Sequence, residues 1–160
     1  MTYKIENMQA THCNDVAQLW HEGWIDGHAA IVPSALSALR TLPSFQTRTA
    51  KQVENTRVAY DQNQLLGFVM IQGDEIYQMY VGPAARGKGV AQALMQDGEA
   101  RIKAAGHDIA WLSCAVGNER AARFYEKSGW VNKRTETVAL ETLNAPFHLD
   151  VWRFEKVLTS

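Results

Sequence analysis

The segment Val81 to Leu94, VGPAARGKGVAQAL, joins two different periodicities. Before it, Glu75 to Val81 (EIYQMYV) alternates as a strand does. After it, Val90, Ala91, Leu94, Met95, Gly98 and Ile102 recur at helical spacing over Gly87 to Ala105, and Gly106 marks the stop. The next run, Ile109 to Val116 (IAWLSCAV), is almost wholly apolar, as expected of a strand covered on both faces. A strand, a helix and a strand in that order form a right-handed parallel unit. This unit restricts the chain to sheets with helices packed on them.

The flanking sequence adds antiparallel pieces. Arg57 to Asp61 and Leu65 to Gln72 read as strands ahead of Glu75 to Val81, and the turns Gln62-Asn63-Gln64 and Gly73-Asp74 are short enough for hairpins. Tyr3 to Met8 alternates and reads as an edge strand. Thr11 to Gly27 reads as a helix with Val16, Leu19, Trp20, Gly23 and Trp24 on one face, capped by Thr11 or Asn14. A second helical region follows Pro33, from Ser34 through Leu36, Leu39 and Arg40. A third starts at Pro43 and ends near Glu54. Asn118 caps a helix over Glu119 to Lys127, stopped by Gly129. Val131 to Leu140 and Phe147 to Val157 are the final strands.

The glycine segment has the chemistry of a phosphate cradle. A helix N-terminus carries free N–H groups and the positive end of the dipole, and glycines let an anion approach the backbone. Arg86 and Lys88 add charge. Gly82 to Lys88 also spells G-x-x-x-x-G-K, the opening of a P-loop. The next residue there would be a Ser or Thr that ligates magnesium, and here it is Gly89. No strand ending in a suitable Asp follows, so a nucleoside triphosphatase fits poorly. Taken alone, the segment could equally be a charged, glycine-rich turn.

Composition narrows the partners. Lys plus Arg number 16 against 17 Asp plus Glu, which argues against a nucleic-acid or membrane-surface protein. The start MTYKIENMQ lacks an apolar signal core, so a cytoplasmic protein is expected. Cys13 and Cys114 are too few for a disulfide framework. His12, His107 and His148 are scattered, and no metal-ligand spacing occurs. No G-x-S-x-G nucleophile elbow is present.

Two motifs carry a family resemblance. Arg86-Gly87-Lys88-Gly89-Val90-Ala91 matches the [Q/R]-x-x-G-x-[G/A] motif of the GNAT superfamily of acyl-CoA-dependent N-acyltransferases. Ala115 to Trp130, AVGNERAARFYEKSGW, resembles that superfamily's second signature, with Asn, two small residues, Phe-Tyr, Lys, Gly and an aromatic at matching spacing. The resemblance is specific over Gly67 to Trp130 and topological elsewhere. It implies one domain over residues 1–160 with an α/β (α+β) GNAT-like fold. Its mixed sheet would have about seven strands, the fourth and fifth parallel and splayed, flanked by about four helices. It implies acetyl-CoA as co-substrate without a metal. The pantetheine arm would pair with Met79, Tyr80 and Val81, and the pyrophosphate would rest on the N–H groups of Arg86, Gly87, Lys88, Gly89, Val90 and Ala91.

Acetyl transfer needs an amine that has lost a proton, stabilisation of an oxyanion and a proton for the thiolate. By strand period, Glu75, Tyr77, Met79 and Val81 share one face. Glu75 matches the general-base position of several GNAT enzymes, and equally it can be a solvated turn residue. Tyr125 lies seven residues after Asn118 on one helix face. By resemblance it protonates the leaving thiolate or touches CoA; otherwise it packs beside Phe124. Asn118 can contact the cofactor, cap its helix, or both. Trp20, His21, Trp24, His28 and Tyr77 are acceptor-site candidates, with Trp24, His28 and Tyr77 preferred. Trp20 fits the core face, and His28 is a second candidate base. Such an aromatic pocket suits an apolar amine or a cation over a ring.

The expected function is an N-acetyltransferase acting on the primary amine of a small molecule by direct attack. A protein or peptide acceptor, or a non-catalytic acyl-CoA-binding module, are the alternatives. The alternation of Phe147 to Val157 leaves room for pairing across a homodimer.

Overall fold

The computed structural model describes residues 3–159. In chain order its elements are β1 (Lys4–Asn7), α1 (Cys13–His28), α2 (Ser34–Leu39), α3 (Leu42–Ala50), β2 (Thr56–Asp61), β3 (Gln64–Gln72), β4 (Glu75–Val81), α4 (Val90–Ala104), β5 (Ile109–Ala115), α5 (Glu119–Lys127), β6 (Val131–Leu140) and β7 (Phe147–Val157). Local chemistry sets the helix starts. At α3 the Thr41 side chain accepts from the Ser44 N–H at 3.3 Å, and Pro43 sits in the first turn. At α5 the Asn118 side chain accepts from the Ala121 N–H at 3.4 Å. α1 is entered through a one-turn 3-10 helix, Ala10–His12, where the Gln9 N–H donates to His12 Nδ1 at 3.0 Å. Thr11 and Asn14 therefore lie beyond the cap. The third helical region breaks after Ala50 and resumes only as a 3-10 turn over Val53–Asn55.

The seven strands form one sheet in the order β1-β2-β3-β4-β5-β7-β6. β1 to β4 are antiparallel neighbours, β4 and β5 are parallel, and β5, β7 and β6 are again antiparallel. β7 is thus paired on both edges over Val151 to Glu155, by β5 and by β6, while Phe147 to Leu149 pair with β6 alone. The middle of β7 has no backbone groups left for a second copy, which narrows the expected pairing across a homodimer to its Phe147 end. The free edge on that side belongs to β6.

The sheet separates two cores. α4 and α5 bury Val90, Leu94, Met95, Ile102 and Ala122 against Leu66, Val69, Ile76, Leu112 and Phe154 on one face. α1 to α3 bury Val16, Trp20, Trp24, Leu36 and Phe45 against Val58, Phe68 and Met70 on the other. Each large apolar side chain fully buried in this way contributes roughly 1.5–3 kcal/mol.

Two irregularities shape the middle of the sheet. β4 and β5 pair at one position only, Glu75 with Trp111. The Trp111 backbone N–H donates to the Asp74 carbonyl at 3.1 Å, and its indole N–H donates to Asp74 Oδ1 at 2.8 Å. Beyond this joint the strands separate. The second irregularity is in β4: Ile76 faces Ile71 and Gln78 faces Met70, so Tyr77 has no opposite residue and forms a bulge. The bulge overturns the expectation that Glu75, Tyr77, Met79 and Val81 share one face. Tyr77 and Tyr80 pack on the α1–α3 side, whereas Ile76, Met79 and Val81 pack on the α4–α5 side.

Candidate functional site

The gap between β4 and β5 opens into a cleft of about 670 Å³ that runs between α1, at Leu19, Gly23 and Gly27, and α5. Met79, Tyr80 and Val81 line one wall, Leu112 and Cys114 the other, and Arg86, Ala91, Asn118 and Tyr125 the upper end. Past Glu75 the edge of β4 that faces β5 has no ladder partner. An extended chain fits there as an added strand.

The glycine segment crowns this cleft. Gly87 and Gly89 adopt φ +76° and +73°, and Gly89 is the N-cap of α4. Here the sequence expectation of a helix from Gly87 is corrected: the left-handed glycines make a turn, and the helix begins at Val90. The first bond along the helix runs from the Ala93 N–H to the Gly89 carbonyl at 3.0 Å. The N–H groups of Val90 and Ala91 are therefore open to an anion. Not all six residues of the motif donate equally. The N–H groups of Arg86 and Lys88 are spent inside the turn, on the Pro83 and Ala85 carbonyls at 3.2 Å each. Arg86, Gly87, Lys88 and Gly89 are all exposed, and nothing lies within 4 Å of where a Cβ would stand on Gly87 or Gly89.

Tyr125 projects from α5 into the same cleft, held edge-on by Phe154 at 5.5 Å and Phe124 at 5.9 Å. Burial, with Cys114 and Tyr80 nearby, raises its phenol pKa, so it stays protonated at neutral pH. Asn118 both caps α5 and lines the cleft. Burial pushes the neighbouring Cys114 thiol up to about 12.

A second cavity, of about 400 Å³, adjoins it on the α1–α3 side of the sheet. Glu75, Tyr77, Trp24 and His28 all line it, as does Trp20, which is fully buried. His21 instead packs on Phe45 at 5.4 Å and reaches neither cavity. His28 stacks on Trp24 at 5.4 Å, and its Nδ1 lies 3.2 Å from the Trp24 carbonyl. Burial lowers its pKa, so its ring is neutral at neutral pH. Glu75 moves the other way: burial and Asp74 raise its pKa to about 7, although Arg153 opposes this. Such a carboxyl is poised to take or give a proton near neutrality. The two cavities share His28, Tyr77, Gln78, Tyr80 and Ser113, so they meet where β4 and β5 part.

Two residues of this cavity have no place in the sequence expectations. Arg40 and Arg48 are 5% and 3% exposed and both line it. The Arg48 guanidinium lies 4.3 Å from the centre of the Trp20 ring. The face of the Trp20 ring is thus taken by the protein's own cation. A signal existed: Arg48 falls three residues after Phe45, on the buried stripe of α3. Among the described residues no cluster of three or more His, Cys, Asp or Glu is arranged to hold a metal, and no helix is long and apolar enough to cross a membrane.

Comparison with known proteins agrees with this geometry. A family model described as the acetyltransferase (GNAT) family matches residues 17–130. An uncharacterized N-acetyltransferase of Mycobacterium tuberculosis is 29% identical over 120 residues, covering 69% of this chain and 77% of that protein. The crystal structure of a GCN5-related N-acetyltransferase from Rhodopseudomonas palustris superposes with a TM-score of 0.76 at 23% identity, over 99% of this chain and 97% of that one. A putative acetyltransferase from Salmonella typhimurium, solved with its cofactor acetyl-CoA, gives a TM-score of 0.72 at 14% identity, over 100% and 96%.

Proposed function

The chain belongs to the acetyltransferase (GNAT) family, and from that premise we propose that it transfers the acetyl group of acetyl-CoA to the primary amine of a small molecule by direct attack. The observation that carries this reading is the pair of adjoining cavities that meet at the β4–β5 gap. Two substrates can approach one point from the two cavities, as a ternary complex requires.

The cleft residues fit acetyl-CoA. The open edge of β4 at Met79, Tyr80 and Val81 suits the pantetheine arm, and the open N–H groups at the start of α4, with Arg86 and Lys88, suit the pyrophosphate. When bound, acetyl-CoA supplies an activated acyl group. Glu75, directly or through water, takes the proton that the ammonium must lose. Tyr125 gives its phenolic proton to the departing sulfur as the carbon–sulfur bond breaks and the carbon–nitrogen bond forms. Cys114, with its raised pKa, is a poor nucleophile, which favours direct transfer over an acyl-enzyme. The acceptor cavity, walled by α1, α2, α3 and the end of β6, suits a small molecule better than a protein tail.

Thiol release from acetyl-CoA, followed over a panel of amines, tests the proposal. Turnover with intersecting initial-rate patterns and no acetylated protein by mass spectrometry is the expected result. Binding of acetyl-CoA with no acetylation of any amine would assign a non-catalytic module.

A further inference from the structure

The acceptor cavity holds two cations for which an amine-binding site has no evident use. An ammonium substrate is itself a cation, yet Arg40 and Arg48 are buried in the cavity wall. Burying a guanidinium is costly unless its N–H groups are paired. Arg40 donates through Nη1 to the Glu141 carbonyl at 2.6 Å, and Arg48 donates through Nη2 to the Tyr77 hydroxyl at 3.3 Å. The Arg48 Nε stands 3.6 Å from a Glu141 carboxylate oxygen, an ion-pair distance but not a hydrogen bond. Arg40 Nε, Arg48 Nε and Arg48 Nη1 are buried without a hydrogen-bond partner among the described residues.

Two acids face the two guanidinium groups across the cavity wall, and neither accepts a hydrogen bond from them through its carboxylate. Glu141 is the carboxylate nearest the pair, and its side chain is 44% exposed. Glu75 is the other acid in the wall, and His28 is neutral. The two guanidinium groups also repel each other. A planar anion that accepts N–H bonds from both groups would supply the carboxylate contact that their orphaned donors lack. The remaining wall is apolar or aromatic: Trp20, Trp24, Val32, Leu36 and Leu149.

We infer that the acceptor is a zwitterion: a small amine that also carries a carboxylate, with an apolar or aromatic side chain, whose carboxylate is bound by Arg40 and Arg48. The inference rests on the acetyltransferase reading of the same site. It keeps the apolar half of the expected acceptor and adds an anion, since Arg48 already covers the ring face of Trp20.

The test compares matched pairs, L-phenylalanine with phenethylamine and L-leucine with isoamylamine, in two assays. One is thiol release with acetyl-CoA. The other is direct binding by calorimetry, without turnover. The carboxylated member is expected to have about ten- to hundredfold higher kcat/KM or affinity, the range set by a charge-assisted hydrogen-bonded pair. Arg40→Gln and Arg48→Gln should each erase that preference and leave acetyl-CoA affinity unchanged. Arg48→Lys should restore only part of it, since a lysine lacks the two-pronged fork. Equal or better use of the decarboxylated amine overturns the inference, as does a preference that survives both glutamine variants. Arginine-dependent binding of the amino acids without acetylation would uphold the anion site and sink the transferase reading. If neither member of any pair binds or reacts, the anion site is wrong. Should a variant fail to fold, judged by circular dichroism, the wild-type pairs alone decide.

Discussion

Glu75 and Trp111 form the single register pair between β4 and β5, and everything above that pair is open. Asp74 anchors the joint by accepting both the backbone and the indole N–H of Trp111. The residue at which the two strands join is therefore also the candidate base of the smaller cavity. A chain change that moves β4 should disturb both sites together.

Gly67 on β3 offers such a change. A Cβ there would stand 2.8 Å from the Tyr80 carbonyl oxygen, 2.8 Å from a Val81 methyl and 2.9 Å from a Leu94 methyl. The first of these is backbone and cannot rotate away. Gly67→Ala should push β4 toward the cleft, cost about 1–3 kcal/mol in urea unfolding and weaken acetyl-CoA binding. Unchanged stability and affinity would mean that β4 yields freely.

At Gly89 the effect should be local. Open space surrounds the position, so Gly89→Val meets no protein atom, but a branched residue at φ +73° is strained. The strained turn, and the side chain in front of the α4 N-terminus, should cut acetyl-CoA affinity at least about tenfold and cost roughly 1–2 kcal/mol of stability. Calorimetry should give the same wild-type affinity with and without a chelator. A tenfold loss with chelator would show that a metal takes part.

Tyr125→Phe keeps the ring contacts with Phe154 and Phe124 and removes only the hydroxyl. If that hydroxyl protonates the leaving sulfur, turnover should fall about a hundredfold or more while acetyl-CoA affinity changes little. Turnover within twofold of wild type, with chemistry limiting, would make Tyr125 a packing residue.

What the sequence revealed, and what it hid, follows from how local each feature is. The strand–glycine–helix unit was legible because left-handed glycines and a helix start are chosen within a few residues. Asn118 was legible for the same reason. The bulge at Tyr77 was not, because it exists only in the pairing of β4 with β3, and no residue of EIYQMYV announces it. Alternation could show that Phe147 to Val157 is a strand, but its place between β5 and β6 is a property of sheet order. Arg40 and Arg48 were hidden by tertiary packing: each looks like a solvated helix residue until α2 and α3 close over the cavity. The position of Arg48 beside Phe45 on one stripe was the available clue.

Glu75→Gln should separate the chemical role of the carboxyl from its structural one. In wild type, the pKa of about 7 requires kcat/KM to rise as pH passes through that value, because only the ionised form accepts a proton. Glutamine keeps the shape and removes the base, so the rate should fall at neutral pH, and it should recover in part at high pH where the amine ionises unaided. Stability should move in the opposite sense. A carboxyl whose pKa is raised in the folded state favours folding most below its unfolded value of about 4.5, and that advantage is lost as pH rises toward 7. Wild type should therefore lose on the order of 2 kcal/mol from this group between these limits, allowing for solvent screening. The glutamine variant should lack that loss and be the more stable protein at pH 8. A variant with wild-type rate and wild-type pH profile, with acetyl transfer limiting, would confine Glu75 to the joint with Trp111. His28 or an ordered water chain would then be left as the route for the proton, since a neutral His28 that donates Nδ1–H to the Trp24 carbonyl keeps the Nε2 lone pair free to accept one.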